Sequence, residues 1–247
     1  FVDGRYTIQA KIQTQGLKVK IFNIAELNLS KFIFSHIKKL NSLAFDPKTI
    51  SQKLYLEYLQ AAKKANLKIN SLKNNLIDFL WKRNLKTQNT KGVFILEKKY
   101  SGMSHTDKIK LILNFIKDNN ANSIFIQNSE SVAWLFNLRG SDLLNTPITF
   151  AYTLIAQNFI YIFLENPILP LKVKSYFGRN IKFSSFSEIP KVLLSLKRNS
   201  LEVLVDPMST NKFYYDLLEN NSKKLTLIND PVLGYKSIKN RKEIKNI

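Results

Sequence analysis

The sequence predicts an α/β fold built as two successive units. Short apolar runs of strand length alternate with apolar residues at helical spacing along nearly the whole chain. The polar, aperiodic stretch RNLKTQNTKG at 83–92 separates one such series from the next. With 247 residues, 45% of them hydrophobic, the chain is long enough to bury two modest cores.

In the first series, alternating apolar residues over Arg5–Gln13 and Lys18–Phe22 predict two extended segments with a turn at Gly16. Leu29, Phe32, Ile33, Ile37 and Leu40 then share one helical face, and a short strand from Ser42 to Phe45 stops at Asp46-Pro47. A helix over about Thr49–Asn66 carries Leu54, Tyr55, Tyr58, Leu59 and Ala62. A strand at Leu67–Asn70 and a short helix at Asn75–Trp81 end the series.

The second series opens with a helix from about Ser104 to Asn119, where Ser104 and Asp107 have capping-box spacing. A strand at Ser123–Ile126 follows, then a helix from Ser129 through Trp134 to Leu138. Its exit, Arg139-Gly140-Ser141-Asp142, offers Gly140 as a left-handed cap and Arg139 as a partner for the last carbonyls or for Asp142. Phe150–Ile155 and Phe159–Phe163 predict a hairpin, with further strands at Leu201–Val205 and Leu225–Ile228. The charged tail from Ser237, whose only apolar residues are Ile238, Ile244 and Ile247, looks like a helix without the surface it should pack on.

Lys and Arg (38) outnumber Asp and Glu (18), a formal charge of +20 that would draw the chain to nucleic acid or anionic lipid. The lysines are spread through nearly every segment among Asn, Ile and Phe, as an AT-rich coding sequence produces, and not gathered in one stripe. A basic α/β binding module for nucleic acid or anionic surfaces therefore stands as an alternative reading, while the expectation is no specific nucleic acid and no membrane. Cysteine is absent, which excludes disulfides and thiolate chemistry and is compatible with the cytoplasm; no apolar run reaches spanning length.

Complete catalytic motifs are missing. The two histidines, His36 and His105, lack paired-ligand spacing, so a surface or capping role is expected of each. GxSxG, GxxxxGK[ST] and GxGxxG do not occur. Asp3, Asp46, Asp142 and Asp206 each stand beside Gly, Pro or Ser, as turn-forming aspartates do.

A series of motifs in order is more informative. Val2-Asp3-Gly4-Arg5-Tyr6-Thr7-Ile8-Gln9-Ala10, Phe45-Asp46-Pro47, Asn75-Leu76-Ile77-Asp78-Phe79-Leu80-Trp81, Tyr100-Ser101-Gly102 with Asp107-Lys108, and Ala133-Trp134-Leu135-Phe136-Asn137-Leu138-Arg139-Gly140-Ser141-Asp142 resemble segments of the Xaa-Pro aminopeptidases (aminopeptidase P). Pro147, Phe150 and Tyr152 follow at the spacing of that family, and Pro231, Lys236, Lys239-Asn240 and Glu243 resemble its entry into the catalytic domain. The resemblance covers essentially the whole chain.

It implies two creatinase N-terminal-like domains of ribonuclease H-like motif, mixed sheets flanked by helices. Residues 1–83 would be the C-terminal part of a first domain whose start is truncated, 84–97 a linker, 98–231 the second domain, and 232–247 a stub of the metal-binding catalytic domain. That pita-bread domain holds two divalent metals, commonly manganese, on two Asp, one His and two Glu, and would be supplied in the same or a neighbouring chain; this chain is expected to hold no cofactor. The implied role is non-catalytic: shaping the cleft for short peptides with proline second, with a second copy of the chain in a homo-oligomer among the implied partners and an inactive gene remnant as an alternative. Arg5 is the one substrate-binding residue carried over, its planar fork of donors suited to a peptide carbonyl or carboxylate.

Overall fold

The computed structural model describes residues 1–36, 41–81, 92–196 and 200–246. A six-stranded mixed sheet forms the centre, from strands β4 (Ser123–Ile126), β6 (Ala151–Ala156), β7 (Phe159–Leu164), β8 (Ile181–Ser185), β9 (Glu202–Val205) and β10 (Lys224–Leu227) in the order β10-β9-β4-β6-β7-β8. The hairpin β6–β7 and the pair β4–β6 are antiparallel; β4–β9, β9–β10 and β7–β8 are parallel.

Every residue of β4 is buried because helices cover both faces. Successive side chains point to opposite sides. Ile124 and Ile126 join the core beneath α6 (His105–Asp118) and α7 (Ser129–Leu135), while Phe125 joins a second core with α9 (Ile189–Leu194) and α10 (Lys212–Asn221). A helix α8 (Leu171–Phe177) seals the first core with Val173 and Phe177.

The first unit is smaller. Parallel strands β1 (Ser42–Phe45) and β2 (Lys68–Ser71) flank α3 (Gln52–Lys64), which packs on α2 (Leu29–His36) around Ile33, Ala61, Ala62 and Leu67. Ser51 caps α3 and Asn75 caps α4 (Leu76–Leu80), each accepting a first-turn amide as short polar side chains do. Ile37 and Leu40 of the expected helical face lie outside the described residues.

Several expectations are corrected. Arg5–Gln13 is not a strand: Gly4–Tyr6 is a 3-10 turn and Thr7–Gln13 is helix α1. Ile8 and Ile12 suit either period, and with no ladder partner alongside among the described residues, a helix closes the backbone hydrogen bonds within the segment. Lys18–Phe22 forms no ladder among the described residues; Phe22 accepts the Val2 N–H and packs its ring on Phe1 and Phe32, and Asn23 just beyond bridges Val2.

The helix expected to reach Leu138 ends at Leu135; Asn137 turns left-handed at φ 53°, and Leu138–Arg139 form β5, antiparallel to β3 (Phe94–Ile95). The greater part of the 84–97 segment lies outside the described residues, and its end carries β3. At α6, Ser104 gives the cap but not the full box, since the Asp107 carboxylate accepts from the Ser104 hydroxyl instead of its backbone N–H.

Candidate functional site

Arg5 stands on the 3-10 turn with its side chain 80% exposed. Asp3 accepts from the Arg5 backbone N–H at 3.0 Å and from Nε at 2.9 Å, with Nη2 at 3.4 Å. That hydrogen-bonded pair holds the Asp3 carboxyl below its usual range and raises the guanidinium. Nη1 has no partner among the described residues. The turn is mounted on Phe1, whose ring packs with Phe22 and Phe32, and on backbone bonds from Val2 to Phe22 and from Ile24 to Val2.

Two other motifs of the first unit meet each other. Asn75 Nδ2 donates to Asp46 Oδ2 at 2.9 Å, and both line a polar cavity of about 330 Å3 with Lys48, Lys73 and Asp78. The α4 residues Leu76, Phe79 and Leu80 stay exposed, as does Trp81 beyond them.

The motifs of the second unit converge on a single junction. Gly102 ends α5 (Lys98–Ser101) in the left-handed region at φ 73°, and Asn240 begins α12 (Arg241–Lys245) directly upon it. Asn240 Nδ2 donates to the Ser101 carbonyl, its Oδ1 accepts from Lys242 and Glu243, and the Glu243 carboxylate closes a capping box. Glu243 also accepts from Trp134 Nε1 at 3.4 Å.

Beneath Trp134 lies Lys108, 1% exposed. Its ammonium donates to the Trp134 carbonyl at 2.8 Å and to Asn137 Oδ1 at 2.7 Å, and sits 4.0 Å over the indole. Burial pushes its pKa down to about 8, Glu243 acting against that shift and Arg139 with it. Arg139 Nη1 donates to the Ala133 and Leu138 carbonyls, so two cations serve the negative end of α7. Within the charged tail α12 lies against α5, while Ile238 and Ile244 stay exposed; ahead of it α11 (Pro231–Ser237) lies against α7, capped by Asp230, which Ser131 Oγ binds.

A Cβ on Gly102 would overlap the Asn240 amide and sit at a strained φ. Gly102→Ala is therefore expected to destabilise the chain by about 1–3 kcal/mol, read as a lower denaturant midpoint; an unchanged midpoint rejects this seat for α12.

Gly140 is not a left-handed cap. Its added Cβ would lie 2.6 Å from Thr149 Cβ, so it is a close-approach glycine, and Asn137 supplies the left-handed residue. Asp142 binds Thr149 Oγ1 and the Phe150 N–H and not Arg139. His105, expected on the surface or as a cap, is buried against Tyr176 and Phe177, and burial lowers its pKa. Among the described residues no three His, Cys, Asp or Glu side chains are grouped to hold a metal ion. No helix among them is long and apolar enough to cross a membrane.

Residues 84–243 match the family profile described as Creatinase/Prolidase N-terminal domain. The chain belongs to that family. It is 27% identical to Xaa-Pro aminopeptidase 1 of Dictyostelium discoideum, over 100% of this chain and 40% of that protein. Aminopeptidase P2 of Arabidopsis thaliana is 25% identical over 95% of this chain and 35% of its own length. This creatinase/prolidase-like chain thus spans about two fifths or less of these relatives. X-prolyl aminopeptidase from Caenorhabditis elegans, described as a cytosolic enzyme with a di-nuclear active site, has the same fold at TM-score 0.82 and 22% identity, over 99% of this chain and 41% of that one.

Proposed function

We propose that this chain frames the substrate cleft of an Xaa-Pro aminopeptidase-like protein and leaves hydrolysis to a separate metal-binding domain. The observation that carries this reading is similarity to Xaa-Pro aminopeptidases along the full chain combined with coverage of about 40% of their length. Residues 1–83 and 98–231 act as two cleft-framing domains joined by 84–97, and 232–247 lead toward the pita-bread domain, which brings the two divalent metals, in the same or a neighbouring chain.

Arg5 serves as the contact to short peptides with proline second. Support comes from its position: an exposed guanidinium on a turn fixed by Asp3 and the Phe1 cluster, with Nη1 unpartnered among the described residues. A carbonyl or carboxylate gains most from a charged donor already oriented by a neighbour.

Incubated with manganese and Xaa-Pro peptides, the purified chain is expected to release no first residue, as followed by chromatography of the products. Turnover that depends on this chain and is abolished by chelator would overturn the non-catalytic reading.

A further inference from the structure

The segment Asp46-Pro47-Lys48-Thr49-Ile50-Ser51-Gln52-Lys53-Leu54-Tyr55 has a counterpart in Asp206-Pro207-Met208-Ser209-Thr210-Asn211-Lys212-Phe213-Tyr214-Tyr215. Each follows a strand, β1 or β9, and leads into a helix, α3 or α10, that returns to a parallel neighbour, β2 or β10. Local bonding repeats as well. Asp46 Oδ1 takes the Lys48 N–H and Asp206 Oδ1 the Met208 N–H; Ser51 caps the Leu54 N–H and Asn211 the Tyr214 N–H. The caps share one conformation, φ −72°, ψ 159° at Ser51 and φ −69°, ψ 157° at Asn211.

The two segments bind each other reciprocally. Gln52 N–H donates to the Thr210 carbonyl and Lys212 N–H to the Ile50 carbonyl, both at 2.9 Å; Lys53 N–H donates to the Pro207 carbonyl and Phe213 N–H to the Pro47 carbonyl, both at 3.0 Å. Ser51 and Asn211 form the antiparallel bridge at the middle. Exchanging the two segments leaves this pattern unchanged, which is the signature of an isologous contact between two copies of one surface, here within one chain.

We infer that the paired Asp-Pro segments are a pseudo-two-fold clasp that locks the unit bearing Arg5 onto the second unit as one cooperative joint. First-turn amides of a helix have no acceptor within it. In α3 and α10 these donors are used between units, so the joint draws on backbone bonding at no cost to either helix. The surrounding side chains are enclosed: Thr210 is fully buried, Gln52 and Asn211 nearly so, and Asn211 also donates from Nδ2 to the Lys48 carbonyl. The inference does not depend on the substrate role of Arg5.

Residue-resolved hydrogen exchange on the intact chain tests it. The amides of Gln52, Lys53, Lys212 and Phe213 are expected to exchange together, at least about 100-fold more slowly than the first-turn amides His105 and Thr106 of α6. Exchange as fast as in α6 overturns the inference without any variant. Gln52→Pro removes one donor where helices accept proline, after a residue already extended. It should speed exchange at Lys212 and Phe213 on the opposite unit by at least about tenfold, with β4 still protected. Exposure confined to Lys53 would mean independent contacts and no clasp.

Discussion

Gly140→Val is expected to destabilise the chain by about 3 kcal/mol, the upper end of the range for overpacking a filled core. Thr149 Cβ, Cα and N lie 2.6, 3.0 and 3.1 Å from where the added Cβ would stand, so backbone and not a mobile side-chain end must give way. Thr149 cannot retreat cheaply: it is 2% exposed, its Oγ1 donates to Asp142 Oδ2, and Asp142 also holds the Phe150 N–H at the start of β6. Moving it would disturb the hairpin that forms the middle of the sheet. For a chain of this size the loss corresponds to a melting temperature lower by roughly 6–12 °C. A melting temperature within about 1 °C of the parent, where even 1 kcal/mol gives more, would show that the approach of Gly140 to Thr149 is not tight.

The same glycine shows where reading the sequence succeeds and where it stops. Strand β4 and the β6–β7 hairpin were legible because burial on both faces favours unbroken apolar runs, and Ile124–Ile126 is one. Cap residues were legible where the donor pattern is local, as at Ser104. The end of α7 was misread because glycine was sought as the left-handed residue. In this chain Asn66, Asn120 and Asn137, following α3, α6 and α7, take positive φ instead, which asparagine tolerates by bonding locally. The extended segment over Arg5–Gln13 failed because two isoleucines four residues apart satisfy both periods, and only the absent ladder decides between them. Arg5 itself came from motif resemblance, since an exposed arginine carries no periodic signal. The junction of Gly102, Trp134 and Asn240, like the pairing of Gln52 with Thr210, joins residues separated by more than a hundred positions in part or whole, a relation no local pattern encodes.

Lys108 was the residue most hidden, since a lysine in an amphipathic helix ordinarily marks the solvated face. Its burial makes stability rise with pH where most proteins lose it. The unfolded side chain titrates near about 10.4, whereas the folded one is pushed down to about 8 by burial. Below pH 8 both states hold the proton, and the folded state bears the full cost of the enclosed charge. Between the two values the folded chain releases its proton first, the unfolded state binds more protons, and unfolding free energy increases with pH. The expected gain from pH 8 to pH 10 is about 2 kcal/mol. Lys108→Met removes this titration, so its stability should lack that gain over the same interval whatever its absolute level. Because the ammonium lies 4.0 Å over the Trp134 ring, the folded-state step should also appear as a change in indole fluorescence in a Trp81→Phe background. Equal pH slopes for the parent and Lys108→Met would show that the ammonium is solvated in solution. The lysine would then no longer tie the end of α7, through Trp134 and Glu243, to the helix that closes the chain.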